Sequence, residues 1–81
     1  MLYVLIPRNA RRADEFRYFA SYSAMEQAVF LAARGFEDSG YDPDWCYVLA
    51  YEGIDELFPT FLYTLSGSFK LVREKWTTLS P

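Results

Sequence analysis

One stretch of this sequence carries the marks of a helix, and every other apolar run is short and β-prone. That contrast limits the chain to a mixed fold with a single helical layer. Ser23-Ala24-Met25-Glu26 reads as a capping box. The serine oxygen can accept the N3 amide, and the glutamate can reach back to the cap amide. Good helix formers follow through Ala33. Arg34 sits at the negative end of the helix dipole. Gly35 suits the left-handed C′ position, with Phe36 at C″ packing on Leu31. At about 100° per residue, Ala24, Met25, Ala28, Val29, Leu31 and Ala32 share a broad apolar face. Glu26, Gln27 and Arg34 define the polar face, and Phe30 projects from its middle.

The remaining runs read as strands. Residues 2–6 form a compact β-prone run stopped by Pro7. A charged loop follows, then a second strand over residues 16–20, with Phe16, Tyr18 and Ala20 on one face and Arg17 and Phe19 on the other. The strongest strand spans residues 45–51. Trp45, Tyr47, Leu49 and Tyr51 face one way and Cys46, Val48 and Ala50 the other, so both sides are apolar, as in a central strand. Residues 53–56 turn the chain. Residues 58–65 form another strand that must admit Pro59 at an edge or in its first positions; a helix from Asp55 is the competing reading, weakened by that proline. Ser66-Gly67 makes a two-residue hairpin turn into a last strand over residues 69–76, setting Leu62 opposite Leu71 and Phe61 opposite Val72.

The expected fold is therefore α+β in the order β-β-α-β-β-β: a small antiparallel sheet of four to five strands with one amphipathic helix on one face, as a single domain over residues 1–81. The strand order stays open. The second sheet face must be solvated, covered by loops or used for binding. A chain this short buries a modest share of its surface, and its sixteen aromatic residues supply area efficiently. Cys46 is the only cysteine, so no internal disulfide can form. That favours a reducing cytoplasm, and the opening apolar run is too short for a signal peptide or membrane span.

Charge divides the chain. Between Gly35 and Phe69 there is no lysine or arginine, but there are seven carboxylates: Glu37, Asp38, Asp42, Asp44, Glu52, Asp55 and Glu56. Each flank sums to +2, so the net charge of −3 hides strong segregation. A concentrated acidic surface suits a basic partner. In residues 37–45, four carboxylates interleave with Tyr41 and Trp45. As a contact surface, its acids would pair with Arg or Lys of a larger protein, with Tyr41, Trp45 and Phe30 as anchors. A solvated loop is the plain alternative. Calcium at Asp42 and Asp44 lacks the spacing of an EF-hand.

Catalytic chemistry is poorly served. With no histidine, the commonest general base and metal ligand are missing. Cys46 lies in an apolar strand and reads as a buried hydrophobe. The scattered glycines build no phosphate loop, and one cysteine cannot hold zinc. No enzyme activity, cofactor or metal is expected. Arg8, Arg11, Arg12 and Arg17 form a second constellation able to touch phosphate, but Asp14 and Glu15 dilute it, and the net negative charge disfavours direct nucleic-acid binding.

In size, acidity and lack of catalytic residues, the chain is similar to small phage-encoded inhibitors, anti-CRISPR proteins among them. The likeness implies an inhibitor of a larger basic or nucleic-acid-binding protein and assigns no residue. The expected site is Glu37, Asp38, Tyr41, Asp42, Asp44, Trp45, Asp55, Glu56 and Phe30, on a monomer or homodimer. The alternatives are a nucleic-acid-binding domain that uses the first hairpin, and a subunit that self-assembles through its open sheet face.

Overall fold

The computed structural model describes residues 1–8, 10–35, 45–66 and 70–76. They form β1 (Leu2–Pro7), a 3-10 turn (Ala13–Glu15), β2 (Arg17–Phe19), helix α1 (Tyr22–Gly35), β3 (Cys46–Tyr51), β4 (Phe61–Leu65) and β5 (Leu71–Lys75). The strands make one antiparallel sheet in the order β2-β1-β3-β4-β5. This is the α+β layer pair expected, with β3 at its centre. The connection from β2 to β3 runs through α1, and β1 lies between the two strands.

The register defines two faces. On the helix side lie Phe19, Tyr3, Leu5, Cys46, Val48, Ala50, Phe61, Tyr63, Leu65 and Leu71. They pack with Met25, Ala28, Val29 and Ala33 of α1 to form the core. Met25 and Val29 lie completely buried in this core beside the short side chains Cys46, Val48 and Ala50 of β3. The helix sits chiefly over β1 and β2, and among the described residues the helix side of β5 beyond Leu71 is left uncovered, with Arg73 and Lys75 in solvent.

Three details of the helix differ from the sequence reading. The cap is Ser21, whose Oγ accepts the Ala24 N–H at 3.1 Å, while the Ser21 carbonyl accepts from Met25. A helix that starts at Tyr22 places Glu26 beyond the first turn, so the Ser23–Glu26 box does not form. The buried arc is also rotated toward Ala33. Leu31, expected inside, is 68% exposed. Phe30, expected to project outward, is half-buried against the core. An aromatic ring on the flank of the arc buries more area against the sheet than Leu31 would, and that outweighs the tidier sequence stripe. Gly35 continues the helix; the Phe36 contact lies outside the described residues.

The last hairpin is set three residues away from the expected register. Leu65 faces Leu71, Tyr63 faces Arg73, Leu62 faces Glu74 and Phe61 faces Lys75. The closing pair is Ser66 and Lys70. The Ser66 N–H donates to the Lys70 carbonyl at 2.8 Å, and the Lys70 N–H donates to Ser66 Oγ at 3.2 Å. The loop is therefore longer than the two-residue turn read from Ser66-Gly67. A shift by an odd number exchanges the faces of β5: Leu71 joins the core and Val72 leaves it. β4 begins at Phe61, after Pro59, so the proline needs no place in the ladder and the helix reading of this region fails.

Two substitutions separate this packing from the sequence stripe. Leu5 is 1% exposed in the centre of the core, so Leu5→Ala should cost about 2–5 kcal/mol. A domain of this size has roughly 4–12 kcal/mol in total. Leu31→Ala should stay within about 0.5 kcal/mol of the parent in urea unfolding. Equal losses for the two would mean that the helix is rotated back toward the sequence stripe.

Candidate functional site

The sheet face away from α1 has no secondary-structure layer over it among the described residues. It presents Leu2, Val4 and Ile6 from β1, Tyr18 from β2, Tyr47, Leu49 and Tyr51 from β3, Leu62 and Thr64 from β4, and Val72 and Glu74 from β5. Val4 and Ile6 are nevertheless buried. The face follows from the double-sided apolar alternation of β1 and β3: once one side packs on the helix, the other still carries large side chains.

After β3 the chain turns, with the Glu56 N–H donating to the Gly53 carbonyl at 3.3 Å. It rejoins the ladder where the Thr60 N–H donates to the Ala50 carbonyl at 2.7 Å. Between these points the β3–β4 loop sets out Ile54 at 83%, Leu57 at 87% and Phe58 at 62% exposed. Large apolar groups this accessible, side by side, are unusual on the surface of a small protein. Glu52, Asp55 and Glu56 are interspersed with them, all exposed. None forms an ion pair among the described residues; the Arg12–Asp14 pair is the one present there. Behind the loop, Val4, Tyr18, Tyr51, Ile54 and Leu57 help to line a cleft of about 370 Å³. Farther along the same face, Arg8, Tyr47, Leu62 and Trp76 line a second cleft of about 330 Å³. The Arg8 guanidinium lies 5.3 Å from the Tyr47 ring centre.

The expected site residues fall into three groups. Asp55 and Glu56 lie in this loop. Trp45 and Phe30 are half-buried and packed on the core, so neither stands out as a free anchor. Glu37, Asp38, Tyr41, Asp42 and Asp44 lie outside the described residues, as does the calcium reading at Asp42 and Asp44. The residues that sequence reasoning missed are Ile54, Leu57 and Phe58. Their signal was present: three large apolar side chains set among three acids in a turn have no core to enter.

The arginine constellation is divided by the fold. Arg8 stacks on the open face. Arg17 belongs to the helix side, its guanidinium 5.2 Å from the Phe19 ring centre. Arg12 donates from Nε to Asp14 Oδ1 at 3.1 Å and from its terminal nitrogen to the other oxygen, which holds the Asp14 carboxyl below its usual range. Glu15 caps the 3-10 turn by accepting the Arg11 and Arg12 N–H groups at 2.6 and 3.0 Å. The acids that appeared to dilute the arginines are thus local partners.

Cys46 is buried, and burial pushes its thiol up to about 12, with Arg8 pulling weakly the other way. No group of three or more acids or thiols able to hold a metal exists among the described residues. No helix there is long and apolar enough to cross a membrane. No protein-family model, curated protein or solved structure matches the chain.

The Cys46 environment carries a pH prediction. The folded thiol ionises near 12 and the unfolded one near its ordinary value of 9.0. Stability is therefore complete below about pH 9 and falls as pH rises toward 12, because the unfolded chain releases its proton first. Burial also raises Tyr3 and Tyr22 above 10.0, which steepens the fall. A thiol reagent at pH 8 should label Cys46 only after denaturant is added. Rapid labelling of the native protein would mean that the β3 core is open.

Proposed function

We propose that this chain is a protein-binding module that docks on a larger protein with a basic surface. The single observation that carries the reading is the β3–β4 loop, where Glu52, Asp55 and Glu56, without ion-pair partners among the described residues, are interspersed with exposed Ile54, Leu57 and Phe58. The apolar groups gain by leaving water. The carboxylates select a rim of Arg or Lys and speed the encounter. The cleft behind the loop offers a place for an apolar side chain of the partner. The rest of the open sheet face extends the contact.

A surface of this chemistry competes well with a phosphate backbone for a basic groove, since it carries negative charge on a rigid support and adds apolar contacts that a phosphate lacks. The function we infer is inhibition of a nucleic-acid-binding protein by occupation of its basic site. This is also the role implied by the likeness in size and acidity to phage-encoded inhibitors.

The test compares three purified proteins as bait in the native host's extract: the parent, Asp55→Lys/Glu56→Lys, and Leu57→Ala/Phe58→Ala. All the changed side chains are exposed, so circular dichroism should be unaffected. The expected result is one partner held by the parent, lost with both variants and released as salt rises. Adding the parent should displace nucleic acid from that partner. Equal capture by all three proteins, or capture insensitive to salt, would refute the reading.

A further inference from the structure

On the helix side of the sheet, the small residue Ala50 separates Tyr3 on β1 from Phe61 on β4. The gap lets Tyr3 and Tyr63 lean toward each other, with ring centres 6.2 Å apart in an edge-on arrangement. Tyr22, the first residue of α1, closes the group at 5.9 Å from Tyr3 and 5.6 Å from Tyr63. Because α1 sits chiefly over β1 and β2, nothing roofs the space beside Tyr63 among the described residues. Arg73, its neighbour in the ladder, stands there. These four side chains and Leu71 line a cleft of about 380 Å³ whose walls are mostly polar.

Two of the three phenols in this cleft are underused among the described residues, whereas the Tyr22 hydroxyl donates to Glu26. The Tyr3 hydroxyl has only a long contact of 3.9 Å to the Met1 sulfur. The Tyr63 hydroxyl forms no hydrogen bond among the described residues, although its ring is buried. The Arg73 guanidinium rests 4.7 Å from the Phe61 ring centre and has no carboxylate partner among the described residues. Tyr22, the first residue of α1, lines the cleft with it. Lys75 follows Arg73 on the same side of β5. Phenolic hydroxyls can donate hydrogen bonds to an anion.

We propose that the cleft formed by Tyr3, Tyr22, Tyr63 and Arg73 binds a phosphate monoester. A guanidinium fork matches two phosphate oxygens, and the Tyr3 and Tyr63 O–H groups can donate to the remaining oxygen lone pairs, with Tyr22 joining them only by leaving Glu26. The volume exceeds that of a phosphate ion and leaves room for an organic group against Leu71. Glu26, one turn along α1 from Tyr22, is the opposing charge: it acts on the Tyr22 phenol and weakens the anion's hold. This site lies on the opposite side of the sheet from the proposed docking face, so it stands or falls separately.

The experiment is a titration followed by two-dimensional nitrogen–proton NMR, with phenyl phosphate, inorganic phosphate and phenol as probes. Saturable shifts at Tyr3, Tyr22, Tyr63 and Arg73 are expected with phenyl phosphate, weaker ones with inorganic phosphate and none with phenol. Arg73→Ala, a change at an exposed side chain, should weaken phenyl phosphate binding roughly tenfold or more. Tyr63→Phe keeps the ring and should weaken it about two- to tenfold. Glu26→Gln should tighten it by up to about fivefold, an outcome no purely structural role gives. Unchanged affinity in Arg73→Ala, shifts confined to other residues, or inorganic phosphate binding as tightly as the ester would overturn the proposal.

Discussion

The fold depends on one shared core, to which α1, seated chiefly over β1 and β2, contributes Met25, Ala28, Val29 and Ala33, and β3 contributes three side chains of limited size. These are Cys46, Val48 and Ala50, and Met25 and Val29 lie fully buried beside them. In a domain of this size there is no second core to compensate for a poor fit. Cys46 takes part as a small apolar group, and its raised thiol is a consequence of the packing. Larger residues on this side of β3 would lift the helix, expose Leu5 and Tyr3, and separate the aromatic cluster at the same time.

One helix cannot cover both sides of five strands, nor even the whole of one side. Its placement over β1 and β2 leaves two surfaces of different character. The side away from α1 is apolar and aromatic, with acidic groups at the β3–β4 loop. The helix side of β4 and β5 is phenolic and cationic. The sequence segregates charge along the chain, and the sheet order turns that segregation into a separation in space: the negative loop follows β3, and the basic residues of β5 sit at the far edge. Charged side chains on β5 also blunt an edge strand that would otherwise invite pairing.

Most of the architecture was legible in the sequence because it rests on local pattern. The alternation of β3 placed Cys46, Val48 and Ala50 on one side and Tyr47, Leu49 and Tyr51 on the other, and the sheet uses both as read; Trp45, read as part of the strand on the outer side, lies before β3 and packs against the core. Pro59 fell just outside β4, where its missing N–H costs nothing. What failed were choices between near-equal local options. Ser21 and Ser23 are both competent caps, and tertiary packing of Tyr22 against Tyr3 favours the earlier one. Leu31 and Phe30 compete for the flank of the helix, and the sheet selects the larger ring. The Ser66 turn admits two loop lengths, and the one observed joins Leu65 to Leu71 on the core side. At the site, charge counting found Asp55 and Glu56 but passed over Ile54, Leu57 and Phe58. Periodicity assigns apolar residues to a core by default, and only the three-dimensional path of the loop reveals that no core lies within their reach.

The exposed loop follows from the same economy of layers. If Ile54, Leu57 and Phe58 served stability, the chain could fold them onto the open face, where Val4, Tyr18 and Tyr51 already form an apolar wall a short distance away. Ile54 and Leu57 do line that cleft, yet each leaves more than four-fifths of its surface in water. Full closure would carry Glu52, Asp55 and Glu56 toward an apolar floor with no cation among the described residues to receive them, and desolvating three carboxylates costs more than the buried area returns. The acids therefore hold the loop out, and the loop holds the cleft open. On the proposed reading, a partner that brought its own lysines or arginines would remove that obstacle and make the apolar contact favourable.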